Sequence, residues 1–232
     1  MRGITMDNVK PKYLGIITCL YITFELVSDV TAGKLIDVFS NPVAVTVIYF
    51  PVTYIFSDII TEVYGYAKAR AVLWIVMLCT VLATVIYVIV AAIPPSKIFD
   101  ANDAYARVLG QVPQIVIAAW LAVFSGDIVN NYILAKLKIL TKGKMLWLRT
   151  ISSTIAGQLV NTAVFYFIGL WGVLPLNVMF QSIIAGWIIK TLVEVLFTPV
   201  TYIIVNKLKR AEGIDFYDTK TNFNPFVFNP PF

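Results

Sequence analysis

Long apolar stretches alternate along this chain with short polar, mostly basic connections, and the stretches have the length of membrane crossings. A helix needs about 20 apolar residues to cross the hydrocarbon core. The first stretch covers residues 13–32, the second 42–65 with Pro51 inside it, and the third 71–93, stopped by Pro94-Pro95. The fourth covers 113–135. Residues 150–189 then carry no charge, which is too long for one crossing; Gly169, Gly172 and Pro175 divide the region into spans at 147–171 and 177–206. The pattern predicts an all-α integral membrane protein, a six-transmembrane-helix bundle forming a single membrane domain over residues 1–232, with a tail at 207–232. Pro51 removes a backbone hydrogen bond and predicts a kink in span two. Between spans three and four, Phe99, Tyr105, Val108 and Leu109 could line one side of a short interfacial helix; an ordinary loop fits equally well. The residues before Tyr13 are too polar to read as a cleaved signal.

The basic residues set the direction. Of the 18 lysines and arginines, 14 fall on one side of the predicted bundle: Arg2, Lys10, Lys12, Lys68, Arg70, Lys136, Lys138, Lys142, Lys144, Arg149, Lys207, Lys209, Arg210 and Lys220. Lys34, Lys97 and Arg107 fall on the other, and Lys190 within a span. The positive-inside rule then places both termini in the cytoplasm.

Composition narrows the chemistry. The chain is 59% hydrophobic and 13% charged, against about 45–50% and about 25% in soluble domains, which excludes a soluble globular fold and a disordered chain. The net charge of +5 is accounted for by topology and calls for no nucleic-acid partner. There is no histidine, hence no imidazole base, no histidine ligand and no catalytic triad. Cys19 and Cys79 sit far apart in apolar stretches and match no metal or redox motif. No Walker A pattern is present. No metal site, cofactor or enzymatic activity is expected; the partners expected are membrane lipids and a small molecule, with pairing into a homodimer left open.

Six of the 13 acidic residues fall inside the spans, namely Glu25, Asp29, Asp58, Glu62, Asp127 and Glu194, together with Lys190. A charge near the bilayer centre costs about 2.5–3.5 kcal/mol on the lenient insertion scale, so such groups face a cavity or a partner. Counted along the spans, these residues and the Gln158/Asn161 pair gather near one depth. Tyr54, Asp58 and Glu62 follow one another at four-residue spacing on one helix face. A carboxylate beside an aromatic ring suits a planar nitrogen heterocycle, which can stack and donate two N–H bonds; capping and packing of a broken helix is the plainer account. Lys190 and Glu194 have the same spacing and could neutralise one another or meet a ligand. Asp127 shares a face with Asn130 and Asn131, as a polar seam or as part of a site. Gln158 and Asn161 could read donor–acceptor patterns or join helices. Ser152, Ser153, Ala156 and Gly157 favour close helix approach. Pro51-Val52-Thr53-Tyr54-Ile55 recurs as Pro199-Val200-Thr201-Tyr202-Ile203, which reads as a shared proline kink rather than a duplicated domain.

Phe50-Pro51-Val52-Thr53-Tyr54-Ile55 with Asp58-Ile59-Ile60-Thr61-Glu62-Val63-Tyr64-Gly65-Tyr66 closely resembles the signature of the queuosine precursor transporters. So do Trp147-Leu148-Arg149-Thr150-Ile151-Ser152-Ser153-Thr154 with Gly157-Gln158, Thr198-Pro199, and Thr221-Asn222-Phe223-Asn224-Pro225-Phe226. The resemblance covers about residues 42–226. It implies a six-helix inner-membrane importer of 7-deazaguanines such as 7-cyano-7-deazaguanine, 7-aminomethyl-7-deazaguanine or queuine, which feed the tRNA modification queuosine. Two positions depart from the family pattern: Asn161 stands where an acid is expected, and Gln114 where an arginine is common. The expected substrate-binding set is Tyr54, Asp58, Glu62, Trp120, Asp127, Gln158, Asn161, Lys190 and Glu194. Within it, Asp58, Glu62 or Asp127 accepts from the ring N–H and exocyclic amine, and Tyr54 or Trp120 stacks. A secondary carrier is the leading reading; the alternative is the substrate-binding membrane subunit of a multi-component vitamin or nucleobase importer.

Overall fold

A computed structural model describes residues 11–32, 34–38, 41–110, 113–169, 171 and 175–227. Arg2, Lys10, Gly172 and residues 228–232 of the tail lie outside the described residues, as does the side chain of Gln114. Among these residues, seven α-helices follow in chain order: α1 (Leu14–Thr31), α2 (Pro51–Tyr64), α3 (Tyr66–Ala92), α4 (Asn102–Leu109), α5 (Pro113–Leu140), α6 (Leu146–Gly169) and α7 (Leu176–Glu212). Two four-residue strands, β1 (Leu35–Val38) and β2 (Asn41–Ala44), pair antiparallel between α1 and α2. Among the described residues, five helices are long and apolar enough to cross a membrane: α1, α3, α5, α6 and α7.

The distribution of side chains is that of a membrane protein. Leu78, Leu82, Val85, Ile86 and Ile89 of α3 and Leu192, Leu196, Phe197, Val200 and Ile203 of α7 are exposed, whereas Glu25, Asp58, Glu62, Asp127, Asn130, Gln158 and Glu194 are buried. Lipid solvates the apolar surface, and the polar groups turn inward to meet one another.

The second apolar stretch departs from a single kinked helix. Asn41–Ala44 form β2 and Val45–Ile48 a 3-10 turn, so this part of the stretch is not α-helix. Pro51 then opens α2 instead of bending it. At that position no backbone N–H is missed and the fixed φ suits the helix. Pro199, its counterpart in the repeated pentapeptide, lies inside α7, so the two prolines do different jobs. The segment between α3 and α5 does contain a short helix, α4, with Phe99 and Tyr105 in edge contact.

Glycine decides how closely two helices approach. A Cβ at Gly126 of α5 would come within 2.3 Å of the Tyr54 hydroxyl, and one at Gly157 of α6 within 2.8 Å of the Asn130 Cβ and 3.0 Å of the Gly126 carbonyl oxygen. Contact along α5 and α6 is the most extensive in the fold, and the Tyr54 ring fits only because both positions are bare. Gly157→Val is expected to force the two helices apart and to cost about 1–3 kcal/mol or more, the usual penalty of overpacking. A thermal unfolding curve in detergent reads this, and an unchanged midpoint would contradict it.

The tail packs against the bundle. Gly65, at φ +89°, separates α2 from α3, and a Cβ there would strike the Phe216 ring at 2.2 Å. Asp218 accepts the Tyr66 backbone N–H at the start of α3, 3.1 Å to each carboxylate oxygen. Arg70 donates to the carbonyls of Asn222 and Asn224 at 2.7 and 2.6 Å, and the Trp74 indole donates to that of Pro225 at 3.0 Å. The Asn222 and Asn224 side chains accept backbone N–H bonds two residues on, folding the segment into consecutive turns. Phe223 stacks near Tyr66 and Tyr132, and Phe226 near Phe124.

Candidate functional site

Along α1, α2, α6 and α7 the buried polar groups fall into three levels, one turn of about 6 Å apart from Asp58 to Glu62 and from Lys190 to Glu194, and further apart elsewhere. They do not share a single depth. The first level is a cavity of about 660 Å³ of empty space, its open mouth included. Its lining comes from the C-terminal end of α1 (Glu25, Asp29), β2 and the 3-10 turn, Phe50, α5, α6 (Asn161, Thr162, Phe165, Tyr166) and α7 (Gly186, Lys190). Lys190 donates to the Asn161 side-chain oxygen at 3.0 Å, and its ammonium sits 4.8 Å from the centre of the Phe50 ring. Glu25 is buried and its Oε1 has no protein partner. A carboxylate acceptor, an ammonium donor and an aromatic floor thus face one cavity.

The second level lies beneath it. Tyr21 donates to Asp127, and the Asn130 amide donates to Asp58 at 2.6 Å. Thr154 donates to Glu194, which lies near Asp58. Asn131 accepts from Ser57 and Thr61 at 2.8 and 2.9 Å, so Asn130 and Asn131 form a seam joining α5 to α2. The Tyr54 hydroxyl donates to the Gly157 carbonyl at 3.4 Å.

The third level is ionic. Arg149 grips Glu62 with two nitrogens, at 2.8 and 3.2 Å. Lys209 reaches the same carboxylate at 2.5 Å and Lys138 at 3.5 Å, while both lysines also bind Asp215. Lys138 further donates to the Glu62 and Phe216 carbonyls. Nearby, the Glu212 carboxylate accepts the backbone N–H groups of Lys12 and Tyr13 and the Tyr64 hydroxyl, placing an anion at the N-terminus of α1. Burial alone would lift the carboxyls of Asp215 and Glu212. Hydrogen bonds from Lys138 and Lys209, and from Lys12, Tyr64 and Tyr13, instead hold them below their ordinary values. Their contribution to stability is therefore complete at neutral pH and is lost as pH falls below about 4.

Of the residues expected to bind substrate, only Asn161 and Lys190 line the cavity. Tyr54, Asp58, Asp127 and Glu194 belong to the level below, and Gln158 lies between the two on the α6 face that carries Thr154 and Asn161. Glu62 sits in the ionic level with both carboxylate oxygens engaged. Trp120 is not among the residues lining the cavity. Lys190 and Glu194 do not form a salt bridge: Lys190 turns to Asn161 and Glu194 to Thr154, both on α6. The residues that sequence reasoning left out are Glu25, Phe50 and Tyr166 at the cavity, and Arg149, Lys138 and Lys209 around Glu62. Glu25 carried a signal, a carboxylate near the middle of a span. The three cations gave none, since positive charge beside a span is explained by topology alone.

Known proteins provide a separate line of comparison. The profile of the family described as "Putative vitamin uptake transporter" matches residues 44–204, more than half of the chain. A curated relative from Bacillus subtilis (strain 168), named "Probable queuosine precursor transporter", is 23% identical over 185 residues, covering 79% of this chain and 81% of the relative. No solved structure matches significantly. With its apolar helices and inward-turned polar levels, the chain is a multi-pass membrane protein that belongs to the vitamin uptake transporter family.

Proposed function

We propose that this protein is an inner-membrane importer of 7-deazaguanine queuosine precursors, acting as a secondary carrier, with the cavity between α1, α5, α6 and α7 as its substrate site. The observation that carries the reading is the juxtaposition of Glu25, with its partnerless oxygen, and the Lys190–Asn161 pair over Phe50. A deazaguanine presents two donors, the ring N–H and the exocyclic amine, beside a carbonyl acceptor. A carboxylate takes the two donors in bidentate fashion, and an ammonium or amide N–H meets the carbonyl. Glu25 is assigned the first role, Lys190 with Asn161 the second, and Phe50 and Tyr166 the ring faces. The name of the Bacillus subtilis relative supports the substrate class.

The proposed topology has six crossings. The 3-10 turn and α2 together rise roughly 30 Å, enough for a broken second crossing. The α1 N-terminus meets the α7 C-terminus through Glu212, which supports an even number of crossings with both ends on one side. Most basic residues lie at that end, so it is assigned to the cytoplasm. The cavity then opens outward, above a closed ionic level. Counterflow of radiolabelled 7-cyano-7-deazaguanine into liposomes containing only the purified chain tests the function. Exchange that unlabelled deazaguanines stimulate and unrelated vitamins do not is expected. No exchange of any deazaguanine would overturn the reading, and exchange only when ATPase subunits are added would favour a multi-component importer.

A further inference from the structure

The cavity floor and the ionic level are separated by a pair of carboxyls that neither of them needs. Asp58 of α2 and Glu194 of α7 are both buried and lie close enough to interact. The charged and titratable groups facing them are Tyr54 and Glu62 from α2, Asp127 from α5 and Arg149 from α6, with Lys190 one turn away on α7 and Glu25 of α1 beyond Tyr54. The cations among these are engaged elsewhere: Arg149 binds Glu62 and the Gly143 carbonyl, and Lys190 binds Asn161. Among the described residues, no cation hydrogen-bonds the pair. The donors that do reach it are neutral: Asn130 to Asp58 and Thr154 to Glu194.

A carboxylate can only accept a hydrogen bond, so contact between two carboxyls requires a proton on one of them. Without it, two like charges would face each other away from water. The surroundings supply a route to this proton. Gln158 is completely buried, and neither its oxygen nor its nitrogen has a protein partner. It stands on the α6 face between Asn161, which holds Lys190 at the cavity, and Thr154, which holds Glu194. Glu194 Oε2 and Asp127 Oδ1 are likewise buried and without hydrogen-bond donors. These orphaned polar atoms mark a polar path from the outward cavity to the pair, whereas the Glu62 cluster closes the way to the cytoplasm.

From this geometry we infer that Asp58 and Glu194 form a one-proton site that couples import to the proton gradient, an inference that rests on the proposed carrier function. A proton arriving through the cavity forms an O–H bond on one carboxyl and is shared with the other. When the ionic level opens, that O–H bond breaks, the proton passes to cytoplasmic water, and two carboxylates remain. Their repulsion and desolvation favour return of the site to the outward-facing state, where it is protonated again. One neutral substrate and one positive charge cross in each cycle.

Two measurements test this, one independent of substrate. Infrared difference spectra of the full chain in lipid, titrated with pH, should show a protonated carboxyl band that titrates reversibly, moves in frequency or midpoint in both Asp58→Asn and Glu194→Gln, and is lost when both are replaced. Its absence from the wild type, or its persistence unchanged in the double variant, would overturn the proton site whatever the substrate. In liposomes, an inward pH gradient of about one unit should drive up to about tenfold accumulation of 7-cyano-7-deazaguanine, collapsing with a protonophore. Glu194→Gln and Asp58→Asn should abolish accumulation while counterflow remains within about twofold of wild type, since neither residue lines the cavity. Wild-type accumulation that follows a sodium gradient, or ignores both gradients, would overturn coupling and leave the carrier function standing. Absence of counterflow in the wild type would instead refute the substrate reading, and the infrared result would still decide the proton site.

Discussion

Glu25→Gln is expected to raise the deazaguanine concentration for half-maximal uptake by roughly 10–100-fold, with the protein still folded. Hydrogen bonds to a charged group are worth about 1.5–3 kcal/mol, and each 1.4 kcal/mol is about a factor of ten. Glutamine keeps the size of the side chain but offers one acceptor oxygen and an NH2 group, which meets the substrate's own donors head on. The cost therefore falls on affinity. Deazaguanine analogues lacking the exocyclic amine should lose much of the distinction between wild type and variant, because one of the two mismatched contacts disappears. Asp29, which lines the same cavity one turn beyond Glu25 on α1, provides the comparison: Asp29→Asn should change uptake far less. Uptake kinetics in cells lacking other routes would measure both. An unchanged half-saturation in Glu25→Gln would remove Glu25 from the site.

The second large effect is expected at Glu62. Its carboxylate is the common partner of Arg149, Lys209 and Lys138, and both it and Arg149 are only 1% exposed. Glu62→Gln preserves the shape and removes the charge, leaving three cations around a neutral amide, with Asp215 the remaining acid. Breaking a buried ion pair by removing one partner costs about 3–5 kcal/mol, so thermal stability in detergent should fall sharply. Combining Glu62→Gln with Lys209→Met removes one uncompensated cation and should restore part of the loss. A double variant no more stable than the single one would show that repulsion among the cations is not the source. If the cluster is also the cytoplasmic closure, Glu62→Gln should make Gly143 and Tyr217, which flank it, more accessible to proteases added from that side.

Much of the fold was legible in the residues, and the reason is specific to lipid. Continuous apolar runs of crossing length have few alternatives to a helix when the solvent cannot satisfy backbone groups, so α1, α3, α5, α6 and α7 could be anticipated from hydropathy. The region from Leu35 to Phe50 could not. Its apolar residues serve a strand pair, a 3-10 turn and a cavity wall, which a hydropathy count does not distinguish from helix. Pro51 was ambiguous for the same reason: a proline within an apolar run can bend a helix or begin one, and the packing of β2 and the 3-10 turn decides which.

The candidate site divides in the same way. By itself the sequence determined that this is a membrane protein, that carboxylates and one lysine lie within its spans, and that any proton chemistry must do without histidine. Those are consequences of composition and length, which hold whatever the packing. Only the tertiary structure decided which of these groups meet. Four-residue spacing put Tyr54, Asp58 and Glu62 on one face, but each step of about 6 Å along the helix sets the next residue against different neighbours, and each meets whatever the other helices present at its own height. Glu62 therefore meets Arg149 and two lysines, Asp58 meets Asn130 and Glu194, and the cavity falls to Glu25, Asn161 and Lys190. Periodicity assigns a side chain to a face, and packing between helices distant in sequence assigns it a partner.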